Sequence, residues 1–206
     1  MKIRAGLLLA ALVAVFSPSS AGAALAEVHA PARIVGVCNV AFVVTSTLHD
    51  FTGSARCLPF EAALDRDAAG GRSIPTVEVE VPVGGMDTGI ASRNGKMREM
   101  FRSDRFPRIH GVAHDVDVDR LLAEMGKGRG GNASIELLIR IRDVERKVRA
   151  MASNLKESGE RVAFDLEFPL SLKEFGLKAP SILGIIRVAD NVAVKTTFTL
   201  TVSRSP

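Results

Sequence analysis

The sequence predicts an all-β domain, a barrel or a sandwich, on three observations. Apolar and polar residues alternate with period two, glycine-rich turns recur between short alternating runs, and only one segment carries convincing helical spacing. The first run is residues 38–45, where Val40, Phe42 and Val44 share one face. Next, Val77, Val79, Val81 and Val83 alternate with Glu78, Glu80 and Pro82. The stretch holding His110 and His114 also reads as a strand. Ile135, Leu137, Ile139 and Ile141 alternate with Glu136, Leu138 and Arg140, and Val148 and Ala150 alternate with Lys147 and Arg149. Val162, Phe164, Leu166, Phe168 and Leu170 alternate with Ala163, Asp165, Glu167 and Pro169. In the last run Val192, Val194, Phe198, Leu200 and Val202 oppose Lys195 and several threonines. One apolar face and one mostly wet face per strand is the mark of antiparallel sheet. Gly70-Gly71, residues 126–131 and Ser158-Gly159 supply turns.

Residues 92–103 break the alternation: Met97, Met100 and Phe101 recur at helical spacing and the segment stops before Phe106-Pro107. This predicts one short helix packed against a barrel opening, with a second helical turn near residues 121–125. No internal repeat or domain linker interrupts the chain.

The N-terminus sets an expectation for the compartment. Lys2 and Arg4 precede an uncharged, mostly apolar run of 11 residues (6–16), then two A-x-A sites at residues 21–23 and 24–26. This is the layout of a secretory signal peptide, and the run is shorter than the ~20 residues a membrane span needs. We expect residues 1–26 to be the signal peptide and residues 27–206 the mature domain, located in the periplasm. No cysteine stands at the junction to accept a lipid anchor. Residues 27–206 hold 25 basic and 23 acidic side chains, interspersed, so they lack the basic stripe of a nucleic-acid partner. All ten aromatics are Phe, with no Trp or Tyr, which argues against an extensive base-stacking platform.

In an oxidising compartment the two cysteines, Cys38 and Cys57, are candidates for a disulfide. A hairpin turning near Thr47 and Leu48 would place them opposite each other. Such a bridge would contribute about 3 kcal/mol in the chain-entropy treatment; two free buried thiols are the alternative. A metal site would need further ligands, and none is expected.

Several motifs point to chemistry that their context does not support. Residues 126–131 fit G-x-G-x-x-G, but a strand-like run follows where a dinucleotide site needs a helix. His110 and His114, four apart on a strand, would lie about 13 Å apart, too far for one ion. Asp115, Asp117 and Asp119 resemble the start of a calcium loop, yet Arg120 and Gly126 occupy the positions that need Gly and Glu; an Asp-rich solvated strand face is the simpler reading. Ser46, Thr47, His49 and Asp50 bring triad residue types together, but triads are defined by geometry, and no G-x-S-x-G is present. No catalytic residue is assigned, and the protein is expected not to be an enzyme.

Four blocks, taken in order, carry a family resemblance. Residues 40–53 (VAFVVTSTLHDFTG) resemble the opening strand of YceI-like proteins and the loop after it, ending in Phe-x-Gly. Met86-Asp87-Thr88-Gly89, followed by Arg93, Met97, Phe101, Ser103, Phe106-Pro107 and Ile109, is similar to that family's helix-bearing stretch. Residues 137–144 resemble its strand and tight turn, although Arg142-Asp143 replaces the usual glycine, and residues 172–176 resemble its "S-x-F-G" region. The helix lacks the histidine often found there.

The resemblance implies a single eight-stranded antiparallel β-barrel, lipocalin-like, with one or two short helices, enclosing a polyisoprenoid chain or quinone tail. Such a barrel either fills with side chains or holds one small ligand. Alternation nominates Phe42, Val44, Val79, Val81, Leu137, Ile139, Phe164, Leu166, Phe168 and Phe198 as its lining, with Met97, Met100 and Phe101 at the mouth. The expected partner is an apolar lipid, with no other cofactor and no nucleic acid. Transient membrane contact and a homodimer remain open at this point. A filled structural or partner-binding barrel is the alternative function, and a periplasmic hydrolase using His49 and Asp50 a third.

Overall fold

A computed structural model describes residues 32–47, 49–127, 130–178 and 188–203. The expected signal peptide, Leu48 and part of the 126–131 glycine motif lie outside these residues. The strands are β1 (Ala32–Ser46), β2 (Phe51–Arg56), β3 (Phe60–Arg66), β4 (Arg72–Pro82), β5 (Arg108–Asp117), β6 (Ala133–Ile141), β7 (Val144–Ser158), β8 (Arg161–Ser171) and β9 (Val188–Ser203). Two helices, α1 (Ala91–Phe101) and α2 (Val118–Met125), interrupt them. Every pairing is antiparallel.

The sheet closes on itself because β1 pairs with β9 from Arg33↔Ser203 to Val44↔Val192. On its other side β1 pairs with β2 along one half and β3 along the other. Together β2 and β3 serve as one bent staff, so the nine segments make an eight-stranded barrel. Closure removes the unpaired edges that an open sheet of this length would expose.

The bend has a local cause. Pairing runs to Asn39↔Arg56 on β2 but resumes at Gly36↔Phe60 on β3, a shift of one residue. Cys57, Leu58 and Pro59 form this bulge, with Pro59 contributing no N–H. The inward positions therefore change phase, from Ala55 and Cys57 to Phe60, Ala62 and Leu64. Leu58 N–H donates to the Glu80 carbonyl at 2.8 Å and ties the bulge to β4. The sequence reading placed Phe51-Thr52-Gly53 at the end of a loop; they instead open β2, paired as Phe51↔Val44 and Gly53↔Phe42.

Cys38 and Cys57 are joined in a disulfide, with Cα atoms 5.3 Å apart. They face each other because β1 and β2 pair in the register Val44↔Phe51 to Asn39↔Arg56, and Cys57 N–H bonds the Cys38 carbonyl at 3.1 Å.

The two ends of the barrel differ. At one end α2 packs across β4, β6 and β7, with Met125 buried and Val118, Leu121 and Leu122 against the core. The Asp117 side chain caps this helix by accepting from Arg120 N–H at 2.9 Å. Asp119, in its first turn, pairs with Arg72 at 2.6 Å. Asp115 and Asp117 thus stand exposed on β5 as expected, while Asp119 lies instead in the first turn of α2, where carboxylates favour the exposed N–H groups. At the opposite end β1 turns into β2, β6 turns into β7 through Arg142-Asp143, and β4 runs through a 3-10 turn (Val83–Gly85) towards α1. Arg142 takes φ 58, the left-handed conformation that explains the glycine usual at this turn.

Candidate functional site

The barrel encloses a cavity of about 610 Å³. Its walls are the inward alternates of the strands, and the outward alternates carry the charge. On β8, Leu166 and Phe168 face the cavity, while Asp165 and Glu167 point out and each pair with Lys195 at 2.9 Å. No Asp or Glu lines the cavity among the described residues. No residue of α2 lines it; the helix packs on the core at the opposite end of the barrel from α1.

Nine of the ten nominated wall residues line the cavity: Phe42, Val44, Val79, Val81, Leu137, Ile139, Leu166, Phe168 and Phe198. Phe164 does not. Its ring stacks on Phe198, centroids 5.2 Å apart and planes 17° apart, and Phe198 meets Phe60 edge-on at 6.1 Å. Met97, Met100 and Phe101 of α1 all line the cavity.

Thr196 was not among the nominated wall residues, and the structure adds it. It lies in phase with Val194 and Phe198, between Leu166 and Val40, and is 6 % exposed on the cavity wall. Strand parity alone would have placed it there. Small residues on the strands take different places. Gly111 lines the space, Gly53 lies under the Phe42 ring, and Ala150 is fully buried away from the cavity.

The exposed lining residues, His49, Ile90, Ser92 and Lys96, all lie at the α1 end, which is therefore the mouth. Ser46 and Arg93 complete the polar rim. Arg93 sits over the Phe51 ring, 4.2 Å from its centroid, a cation–π contact that holds it at the wall. Ser46 continues the phase of Phe42 and Val44 at the end of β1, but alternation could not nominate His49, Ile90, Ser92, Arg93 and Lys96, which lie outside the strands.

The Asp-Thr-Gly motif has a clear physical task. Asp87 exchanges backbone hydrogen bonds with Ser54 on β2, both 2.8 Å. Its carboxylate accepts from Asn94 Nδ2 at 2.7 Å and from Gly89 N–H at 2.9 Å. These bonds, Asn94 first, hold its pKa below the ordinary carboxylate value. Asn94 Oδ1 in turn accepts from Thr88 N–H and hydroxyl. The motif thus clamps α1 to β2 at the mouth, and Asn94, which the sequence reading did not single out, is its centre. Across the mouth, Asp190 accepts from Lys173 N–H and Ser171 Oγ, both 2.8 Å. This fixes the 172–176 turn, whose Phe175 is 1 % exposed.

The remaining candidates lie elsewhere. Ser46 Oγ donates to the His49 backbone carbonyl at 2.6 Å, and Ser46 N–H donates to Asp50 at 3.1 Å. These bonds shape a turn and do not align a nucleophile with an imidazole. His110 stands on the outer surface, with Nδ1 3.1 Å from Glu78 and 3.4 Å from Glu80. The sequence reading did not anticipate that juxtaposition, in which Arg108 already holds Glu80 at 2.6 Å. His114 meets Thr76 at 3.0 Å.

A closed antiparallel barrel with an apolar lumen belongs to the class of small ligand-enclosing barrels. Within that class the chain belongs to the YceI-like family, whose domain model matches residues 28–200. No curated protein matches the chain. Among solved structures it resembles BcnA of Burkholderia cenocepacia, with a TM-score of 0.57 and 15% identity over 79% of this chain and 95% of that one. It is also similar to a polyisoprenoid-binding domain from Saccharophagus degradans, with a TM-score of 0.58 and 14% identity over 81% of this chain and 97% of the other. At these identities the likeness speaks for the fold. None of the helices among the described residues is long and apolar enough to cross a membrane.

Proposed function

We propose that this protein is a periplasmic carrier or reservoir that holds an isoprenoid lipid, or the prenyl tail of a quinone, inside its barrel. The observation that carries the reading is the 610 Å³ apolar cavity, which falls within the size range of small-molecule sites. The polyisoprenoid-binding function named for the Saccharophagus degradans domain supports it, as does membership of the YceI-like family.

The chemistry agrees. Each ligand CH₂ removed from water contributes about 0.8 kcal/mol before the costs of binding. A long prenyl chain can therefore bind tightly against walls such as Phe42, Val44, Val79, Val81, Leu137, Ile139, Leu166, Phe168 and Phe198 without directional contacts. Met97, Met100 and Phe101 act as adaptable gate residues, since thioethers repack at small cost. Phe164 supports the wall through Phe198. A side-chain-filled barrel is the weaker reading, because it leaves the cavity without a use.

Leu166→Arg tests the assignment. Leu166 is 5 % exposed on the cavity wall, and the guanidinium would enter the lumen and make it hostile to a prenyl chain. The variant should lose co-purifying or added prenyl lipid while keeping the β-sheet circular dichroism of the parent. Full lipid retention in a folded variant would sink the assignment.

A further inference from the structure

The charges at the mouth are unevenly placed. Residues 91–105, which form α1 and the turn after it, hold five basic and two acidic side chains. The rest of residues 27–206 holds 20 basic against 21 acidic. A chain that is otherwise balanced thus concentrates its excess positive charge on one helix at the cavity opening.

Four of those cations also have no acidic partner among the described residues. Arg72, Arg120, Lys147 and Lys195 all hold carboxylates elsewhere on the barrel. Among the described residues, Lys96, Arg98, Arg102 and Arg105 have no carboxylate partner within ion-pair distance. All four are exposed. Met97 and Phe101 turn into the barrel, while Arg98 and Arg102, one turn apart, stand clear of the cavity in solvent. At the head of the same helix Ile90 is 46 % exposed, a large apolar side chain left in water at the rim.

We propose that the mouth docks on an anionic lipid bilayer. Arg98, Arg102 and Arg105 lie against the headgroups, and Ile90 enters the interface. A cationic ridge flanked by an exposed apolar residue is the pattern of interfacial membrane binding. Because the cavity opens beside the ridge, docking brings the lumen to the bilayer, and an apolar ligand crosses between them without entering water. That transfer rests on the lipid-carrying function proposed above; the docking itself does not.

The test is co-sedimentation of the mature chain with two kinds of vesicle, phosphatidylcholine alone and phosphatidylcholine with about one-third phosphatidylglycerol, at low and high salt. The parent should bind the anionic vesicles at low salt, release at high salt and ignore the neutral ones. Arg98→Gln with Arg102→Gln should weaken binding at least about tenfold, at roughly fivefold per cation. Arg98→Lys with Arg102→Lys should keep it, which separates charge from any structural role. Equal binding to both vesicle types, or binding unchanged in the glutamine variant, would overturn the proposal. So would failure to bind vesicles combined with capture on polyglutamate beads, which would assign the ridge to an acidic polypeptide. A protein that retains prenyl lipid yet ignores anionic vesicles would lose this docking surface and keep its lipid-carrying function.

Discussion

Gly36 and Gly53 each lie beneath an aromatic ring from the neighbouring strand, Phe60 and Phe42 respectively. A Cβ at either position would fall within the ring. Both rings line the cavity, but only Phe60 is also held against the disulfide. Phe60 packs with the Cys38–Cys57 pair, so Gly36→Ala should cost about 1–3 kcal/mol through overpacking. A urea melt at the parental midpoint would contradict this. Phe42 borders open lumen, so Gly53→Ala should displace its ring into the cavity, lowering lipid occupancy more than stability. Asp190 makes a pH-dependent contribution. Bonding from Lys173 N–H, then from the Ser171 hydroxyl, lowers its pKa below 3.8. A carboxylate depressed in the folded state stabilises fully above its unfolded value and loses that contribution as pH falls through the folded one. The melting temperature should therefore fall below about pH 4, with a smaller fall in Asp190→Asn. Parallel curves for the two proteins would remove Asp190 from the account. Thr196 shows what single residues disclose in sequence: parity marks it as inward, but its chemistry reads as outward, and in a β-strand parity governs.

Among the elements, β4, β6, β8 and β9 were legible because their alternation is long and unbroken. The staff formed by β2 and β3 was not, since the bulge at Cys57, Leu58 and Pro59 shifts the inward phase and hides one strand as two short, small-residue runs. The cysteine pairing was nevertheless readable, because it depends only on where the β1–β2 hairpin turns. Closing its loop, 19 residues in separation, should stabilise the fold by about 3 kcal/mol. Unfolding with and without reductant, or in Cys38→Ser with Cys57→Ser, measures that difference; coincident curves would show that the bridge adds nothing. The start of α2 was hidden for another reason. Asp117 and Asp119 continue an alternating strand, and only the cap at Arg120 N–H shows where the helix begins. Asp117→Ala should cost about 1 kcal/mol, seen as a lower denaturation midpoint.

At the scale of the whole molecule, period two reveals which face is apolar but not whether that face closes on a packed core or an empty lumen. That depends on strand number, closure and side-chain size together. The family resemblance supplied closure in advance; the cavity and its cationic mouth emerged from the three-dimensional arrangement. The molecule then reads as one device: a charged exterior, an apolar interior with no carboxylate among the described residues, and exposed lining residues at the α1 end. Its central claim is that the interior holds an isoprenoid chain. The most direct measurement is mass spectrometry of an organic extract of the mature protein, purified from a bacterial periplasm without detergent. The account predicts a prenyl lipid or prenylated quinone near one per barrel. An extract free of such lipid from well-folded protein, which also fails to take up added prenyl lipid, would contradict it.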